Sequence, residues 1–352
     1  MEFSGILVFI VAISLLVAIH ELGHLIVAKI FNVYCHEFAI GFGPKLFSKV
    51  GKETTYSLRA VPLGGFVAMA GEGETHEGMP EDIPLERTVK GIHPFKRILI
   101  MLAGIFMNIV LFIVLLMIIV GVQGVVDAEN TTSTVGGVME GYPAQKAGVL
   151  ANDEVVAVII NEKRIDVSSL NEINEAIGNS SKSYTYVVNR NNEELMFDIT
   201  PQYDSSSDRY LAGIQFIAPV KKVGFFENLQ FTLAFGWQYF VAVLFAILNL
   251  FRGQGLDNIG GPIAIMSMSN EVANQGILSI MGFIAQLSMS LAVFNLIPIP
   301  ALDGGRVLLT LPELLTGKPL NKKTEESLIM GSYILLLVFI AFIMVVDVRK
   351  FF

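Results

Sequence analysis

The chain has 352 residues, 53% of them hydrophobic and only 16% charged, a composition too apolar for an ordinary soluble domain and long enough for several membrane spans plus one soluble module. A formal net charge of −8 excludes the basic face of a nucleic-acid-binding protein. The single cysteine, Cys35, excludes an intrachain disulfide framework and any cysteine-cluster metal site.

The first element is an apolar run from about Phe3 to Phe31, uncharged from Phe3 to Ile19. It lacks the basic region and small-residue cleavage site of a secretory signal, so it reads as a retained spanning helix. Within it lies His20-Glu21-Leu22-Gly23-His24. Histidines four apart share one helix face at the spacing a tetrahedral zinc needs, and Glu21 beside them can take a proton from zinc-bound water. The plain alternative is a helix end whose polar residues are merely solvated, but Leu25 to Phe31 continue the apolar pattern, interrupted only by Lys29. Ionisable groups at that depth are expensive, which favours a functional role.

Lys and Arg are absent before Lys29, and nine then fall between Lys29 and Arg97. The positive-inside rule places this stretch on the cytoplasmic side and the N-terminus outside, with His20 toward the cytoplasmic leaflet. Residues 36–72 have no helical period. Gly41-Phe-Gly-Pro44 reads as a turn, and Thr54 to Met69 alternates as a hairpin with Gly64-Gly65 near its bend. That hairpin is either a small cytosolic sheet or an edge that pairs with an extended substrate, with Gly64, Gly65 and Phe66 as candidate substrate contacts. An acidic, Gly/Pro-rich loop over 73–96 leads to a second spanning helix, about Arg97 to Val122. Its Gly104 and Asn108 read as helix-packing and interhelical hydrogen-bonding residues.

From Asp127 to about Pro219 the composition turns soluble. Pro143 and Gly148 bracket one short helix, and Ser169, Glu172 and Gly178 mark the start and stop of another. Two alternating strands, Tyr184 to Arg190 and Glu193 to Thr200, flank Asn191-Asn192, a two-residue turn. The order of these elements resembles a circularly permuted bacterial PDZ domain. Such domains add a peptide to a strand edge and can hold its C-terminal carboxylate in a glycine loop, which here would lie near Gly136 and Gly137. Ser205 to Ser207 reads as a loop.

Asn228 to Phe251 is charge-free and looks like another span by hydropathy. Parity argues that it lies on or dips into the outer face. A full crossing would send the next helix, about Ile277 to Pro298, outward, away from His20 and His24. The end of that helix is Asn295-Leu-Ile-Pro-Ile-Pro-Ala-Leu-Asp-Gly-Gly305. Pro298 and Pro300 free backbone carbonyls that lipid cannot satisfy, so this broken segment must line a cavity. Asp303 follows, an acid at membrane depth. Arg306, Lys318, Lys322 and Lys323 come next and put it on the cytoplasmic side with the histidines. A last span covers about Ser327 to Val346.

His20, His24 and Asp303 supply the three protein ligands of a catalytic zinc that keeps one position open. Asp303-Gly304 taken alone is equally an ordinary helix-ending turn; its arrival in the same leaflet as the histidine pair favours a ligand. Asn295 can donate to substrate backbone or serve as helix glue.

Together, the His20 to His24 motif, the Asn295 to Gly305 motif, the Gly41 to Pro44 turn and the inserted domain resemble the site-2 protease family of intramembrane zinc metalloproteases, most closely its regulator of sigma-E type. The resemblance covers nearly the whole chain. It implies four transmembrane helices, a membrane-associated β-hairpin on the cytoplasmic side that presents substrate as a strand, and one inserted α+β PDZ domain. The expected division is a first half of the protease core over 1–126, the PDZ domain over 127–219, a membrane-associated linker over 220–276 and the second half of the core over 277–352. It further implies one Zn2+ ion, location in the bacterial cytoplasmic membrane with both termini outside, contact with membrane lipids, and single-pass substrates already trimmed outside, such as anti-sigma factors or signal-peptide remnants. The sigma-E enzyme carries two PDZ domains and this chain has room for one, which leaves the substrate open. Two rival functions remain, an idle scaffold that recruits partners through the PDZ domain, and a metal carrier. The carrier reading suffers from having one broken helix where paired half-helices are usual.

Overall fold

The computed structural model describes residues 3–72, 78–80, 82–127, 130–179, 181–204, 209–254 and 260–351; the serine-rich stretch at 205–207 falls outside them. The chain divides into two compact units, Met1–Ile119 with Phe225–Phe352, and Val120–Gly224.

Helix α1 (Phe3–Ile30) is 28 residues long, about 42 Å at 1.5 Å per residue and ample for a bilayer core. Asn32, with φ 61°, turns the chain out of it. Strand β1 (Cys35–Val50) then pairs with β2 (Thr55–Met69), the chain reversing between them. Both strands bend midway. Phe38 lies between Tyr56 and Val67, Ala39 between Ser57 and Phe66, and Ile40 between Leu58 and Gly65, while Ser48 and Lys49 pair with Ser57 and Tyr56. The result is a layer of four short arms ordered 45–50, 55–59, 35–40, 65–69. The expected hairpin inside Thr54–Met69 is therefore not formed, because residues 35–40 lie between its two arms. The reversal of the pair falls at 51–54, and Gly64-Gly65 marks a bend within β2. Gly41-Phe-Gly-Pro44 is likewise a bend inside β1, with Gly41 at φ 91° and Gly43 at φ 81°. Alternation identifies a strand and its faces but does not choose its partner.

Helix α2 (Pro94–Gln123) leads into the second unit. That unit contains β3 (Val125–Val126), β4 (Val135–Val138), α3 (Pro143–Ala147), β5 (Glu154–Ile160), β6 (Lys163–Asp166), α4 (Leu170–Ile177), β7 (Tyr184–Arg190), β8 (Glu193–Ile199), β9 (Gln202–Asp204), β10 (Arg209–Leu211), β11 (Ile214–Phe216) and β12 (Val220–Lys221). A four-stranded sheet in the order β6-β5-β7-β8 and three two-stranded pairs surround a core of Val135, Val149, Val155, Val158, Ile173, Val188 and Ile199. The local signals behave as their chemistry dictates. Gly148 ends α3 at φ 95°, Ser169 accepts from the Glu172 N–H at the start of α4, and Asn191 and Asn192 take φ 56° and 69° between β7 and β8. Gly136 and Gly137 do not form the expected loop. They lie in β4, where Gly137 pairs with Gln215 of β11.

Three long helices and two short ones follow: α5 (Phe225–Phe251), the short α6 (Pro262–Gln275), α7 (Ile277–Leu296), the short α8 (Asp303–Thr316) and α9 (Lys322–Phe351). Among the described residues five helices are long and apolar enough to cross a membrane, namely α1, α2, α5, α7 and α9. Hence this is an integral membrane protein with added sheet content. Helix α7 is the hub: Phe283 and Ile284 pack on Ala12 and Leu16 of α1, and Met289 and Val293 pack on Phe112 of α2 and on the α5 side chains Tyr239, Val243 and Ile247. The sheet rests on the last turns of α1, where Leu25 and Ala28 join Val67, Met69 and Ile100. At the far end the Asp347 carboxylate of α9, wholly buried, accepts from the Gly261, Ile263 and Ala264 N–H groups and so caps α6.

Candidate active site

His20 and His24 project from one face of α1 toward α2 and the start of α8, at 8% and 7% exposure. Gly23 between them permits this approach, since a Cβ there would sit 2.3 Å from the Ala103 carbonyl oxygen of α2. Asp303 arrives from the opposite end of the chain. Helix α7 stops before Pro298, the backbone makes two tight turns with Ile299 N–H donating to Ile297 O and Leu302 N–H to Ile299 O, and α8 starts at once. A Cβ on Gly305 would fall 1.9 Å from the Ile299 carbonyl oxygen, so only glycine lets α8 begin close enough to aim Asp303 at the histidines.

The three side chains converge. His20 Nε2 is 3.0 Å from Asp303 Oδ2, His24 Nε2 is 3.5 Å from the same oxygen, and the two Nε2 atoms are 3.1 Å apart. Tetrahedral zinc with bonds near 2.0 Å holds its ligand atoms about 3.3 Å from one another, so the donor set has the size and chemistry of a zinc site. Two imidazoles and a carboxylate converging this closely, mostly out of water, are a donor set that suits a divalent cation.

Glu21 lines a cavity of about 790 Å³ together with His20, His24 and Asp303. Phe66 and Asn295 line it too, so the structure brings these two expected residues to the metal cluster. Gly64 and Gly65, at the bend leading to Phe66, are not part of its lining, and Gly136 and Gly137 belong to the second unit. Several residues around the site carried no functional assignment from sequence. Arg306, one turn beyond Asp303, pairs with Glu72 at the end of the sheet, and Arg97 pairs with Glu313 at 2.5 Å, so α8 is tied to the sheet and to α2. His24 Nδ1 lies 2.7 Å from the Ile100 carbonyl, and Asn108 lies 3.3 Å from His20 Nδ1. Asn108, expected from sequence to make an interhelical hydrogen bond, makes it to a histidine of α1.

The family model of Peptidase family M50 matches residues 8–339. The chain belongs to this site-2 protease family. Among its relatives, a Fusobacterium nucleatum protein named "Putative zinc metalloprotease" is 32% identical over 350 residues, covering 98% of this chain and 99% of its own. Proteins named alike from Clostridium acetobutylicum and Clostridium perfringens are 34% and 33% identical, covering 91% and 96% of this chain and 90% and 97% of theirs. This M50 peptidase is thus a zinc-dependent metalloprotease of the membrane. When bound, zinc supplies Lewis acidity that makes water nucleophilic near neutral pH and polarises a scissile carbonyl.

Proposed function

We propose that this M50 peptidase hydrolyses peptide bonds within or near the transmembrane segments of single-pass membrane proteins after a first cut outside, such as anti-sigma factors or signal-peptide remnants. His20, His24 and Asp303 hold the zinc. The observation that carries this reading is the meeting of Asp303 Oδ2 with both histidine Nε2 atoms in a cavity shared with Glu21. Glu21 takes a proton from the attacking water and returns it to the departing amine. A substrate helix hides its amides in its own hydrogen bonds and must be unwound before attack. The outer arm 65–69, whose Phe66, Val67 and Met69 line the cavity, can hold the unwound segment as an added strand, with Asn295 donating to its backbone.

The second unit serves as a single PDZ domain that reads a peptide outside the cell, where both termini also lie, and the zinc sits near the cytoplasmic leaflet of the inner membrane. Four helices cross fully. Helix α5 begins beside the end of α2, where Asn228 donates to the Met117 carbonyl. Its continuation α6 returns to the start of α1 and the end of α9, with Ser269 donating to Gly5 O and Asp347 capping Gly261. Beginning and returning at one side of the bundle is what a dipping segment does.

The test is zinc content together with cleavage of a single-pass peptide by purified wild type and Glu21→Gln. Glu21→Gln should keep its zinc and lose turnover by about 10²–10⁴, the range for a lost general base. Equal cleavage by both proteins sinks the mechanism.

A further inference from the structure

We propose that Asn108 is a positioning residue for His20, its carboxamide oxygen accepting from the Nδ1–H of that imidazole and so leaving Nε2 free to bind the metal. The inference rests on His20 being a zinc ligand through Nε2. Asn108 is wholly buried on α2. Its Nδ2 stands 3.3 Å from His20 Nδ1, while its Oδ1 is buried with no hydrogen-bond partner among the described residues. That orientation makes Nδ1 the acceptor and puts the ring proton on Nε2, the atom that faces His24 and Asp303. A protonated Nε2 cannot bind a metal.

Amide nitrogen and oxygen are nearly isosteric, and their assignment follows from the chemistry around them. With the carboxamide turned over, its oxygen meets Nδ1, the proton moves there and the Nε2 lone pair points into the cluster. His24 already follows this pattern. Its Nδ1 sits 2.7 Å from the Ile100 carbonyl, which can only accept, so His24 carries its proton on Nδ1. One helix therefore sets both tautomers, through a backbone carbonyl for His24 and a side-chain one for His20. Gly104 between them leaves room for the rings, since a Cβ there would stand 2.4 Å from His24 Nε2 and 2.7 Å from His20 Cε1. Outer-shell acceptors of this kind orient metal-binding imidazoles and raise their basicity.

The experiment measures zinc affinity by chelator competition for full-length wild type, Asn108→Leu, Asn108→Asp and Ser288→Ala. Leu matches Asn in size and cannot accept; Asp keeps an acceptor; Ser288 donates to the Asn108 backbone carbonyl and leaves the carboxamide untouched. The expected result is affinity reduced about 10- to 100-fold in Asn108→Leu, largely recovered in Asn108→Asp and unchanged in Ser288→Ala. Wild-type affinity in Asn108→Leu, or an Asn108→Asp as weak as Asn108→Leu, overturns the proposal. Should Asn108→Leu not fold, nitrogen-15 spectra of histidine-labelled, zinc-loaded wild type decide alone: both site imidazoles should carry slowly exchanging Nδ1 protons, and a bare Nδ1 on His20 refutes the assignment. A His20→Ala protein that binds zinc as tightly as wild type would instead defeat the metal-site reading itself.

Discussion

At the scale of single residues, what matters is how closely backbone and ring atoms approach. The His20 to His24 spacing guarantees a shared face, but the rings can meet Asp303 only because glycines at 23, 104 and 305 leave the space. Gly104→Ala should push both imidazoles apart; zinc affinity should fall at least about tenfold, in the range expected for disturbed ligand support, as read by chelator competition. Gly331→Ala, at a position where an added Cβ meets nothing, should leave zinc affinity alone. The acids and histidines of the site were legible in the sequence because an ionisable group in an apolar run is costly and therefore conspicuous. The supporting groups were legible only in part. Ile100 acts through a backbone carbonyl, which no side-chain pattern announces, and the interhelical hydrogen bond expected of Asn108 gained its partner, His20, only from the fold.

At the scale of elements, local chemistry and long-range pairing part company. The caps and turn of the second unit follow from nearby residues, but the sheet of β1 and β2 depends on which arms meet, and alternation leaves that undecided. The second unit has its own core, and Ile173→Ala there, at 1% exposure, should cost about 3 kcal/mol by truncation of a buried aliphatic, measured by denaturant unfolding of Val120–Gly224. A charge pair braces the same unit. Arg190 donates to both oxygens of Asp153, at 2.7 Å each, and to the Gly148 carbonyl. Burial would push the Asp153 carboxyl up, but the hydrogen bonds from Arg190 and from the Leu150 N–H outweigh it and hold the group below its ordinary value. Since the folded pKa lies below the unfolded one, this stabilisation is present at neutral pH and is lost as pH falls below about 4. Asp153→Asn should therefore lower the unfolding midpoint at pH 7, and the gap from wild type should close on acidification. A gap that stays constant down to pH 2 would show that the carboxylate charge contributes nothing.

At the scale of the whole molecule, the cluster of His20, His24 and Asp303 joins the first and eighth helices, elements from opposite ends of the chain. A ligand that binds only the folded state stabilises it by mass action. A zinc chelator should lower the thermal midpoint of the purified protein, and in Asp303→Ala, which lacks one ligand, the chelator should have little further effect. Topology is testable in cells. With buried Cys35 replaced by serine, a cysteine at Met196, a position 64% exposed, should react with a membrane-impermeant reagent from outside; protection there would reverse the assigned sides.

Read by itself, the chain established its apolar spans, its histidine pair four apart and the helix break before Asp303, because each arises from the cost of placing a charge or a bare backbone group in lipid and is written in contiguous residues. Only the tertiary structure decided that residues 35–40 separate the two arms of the next strand and that α2 holds both rings from behind. Those outcomes depend on which distant surfaces come into contact, and close packing selects among partners that composition and spacing leave equivalent.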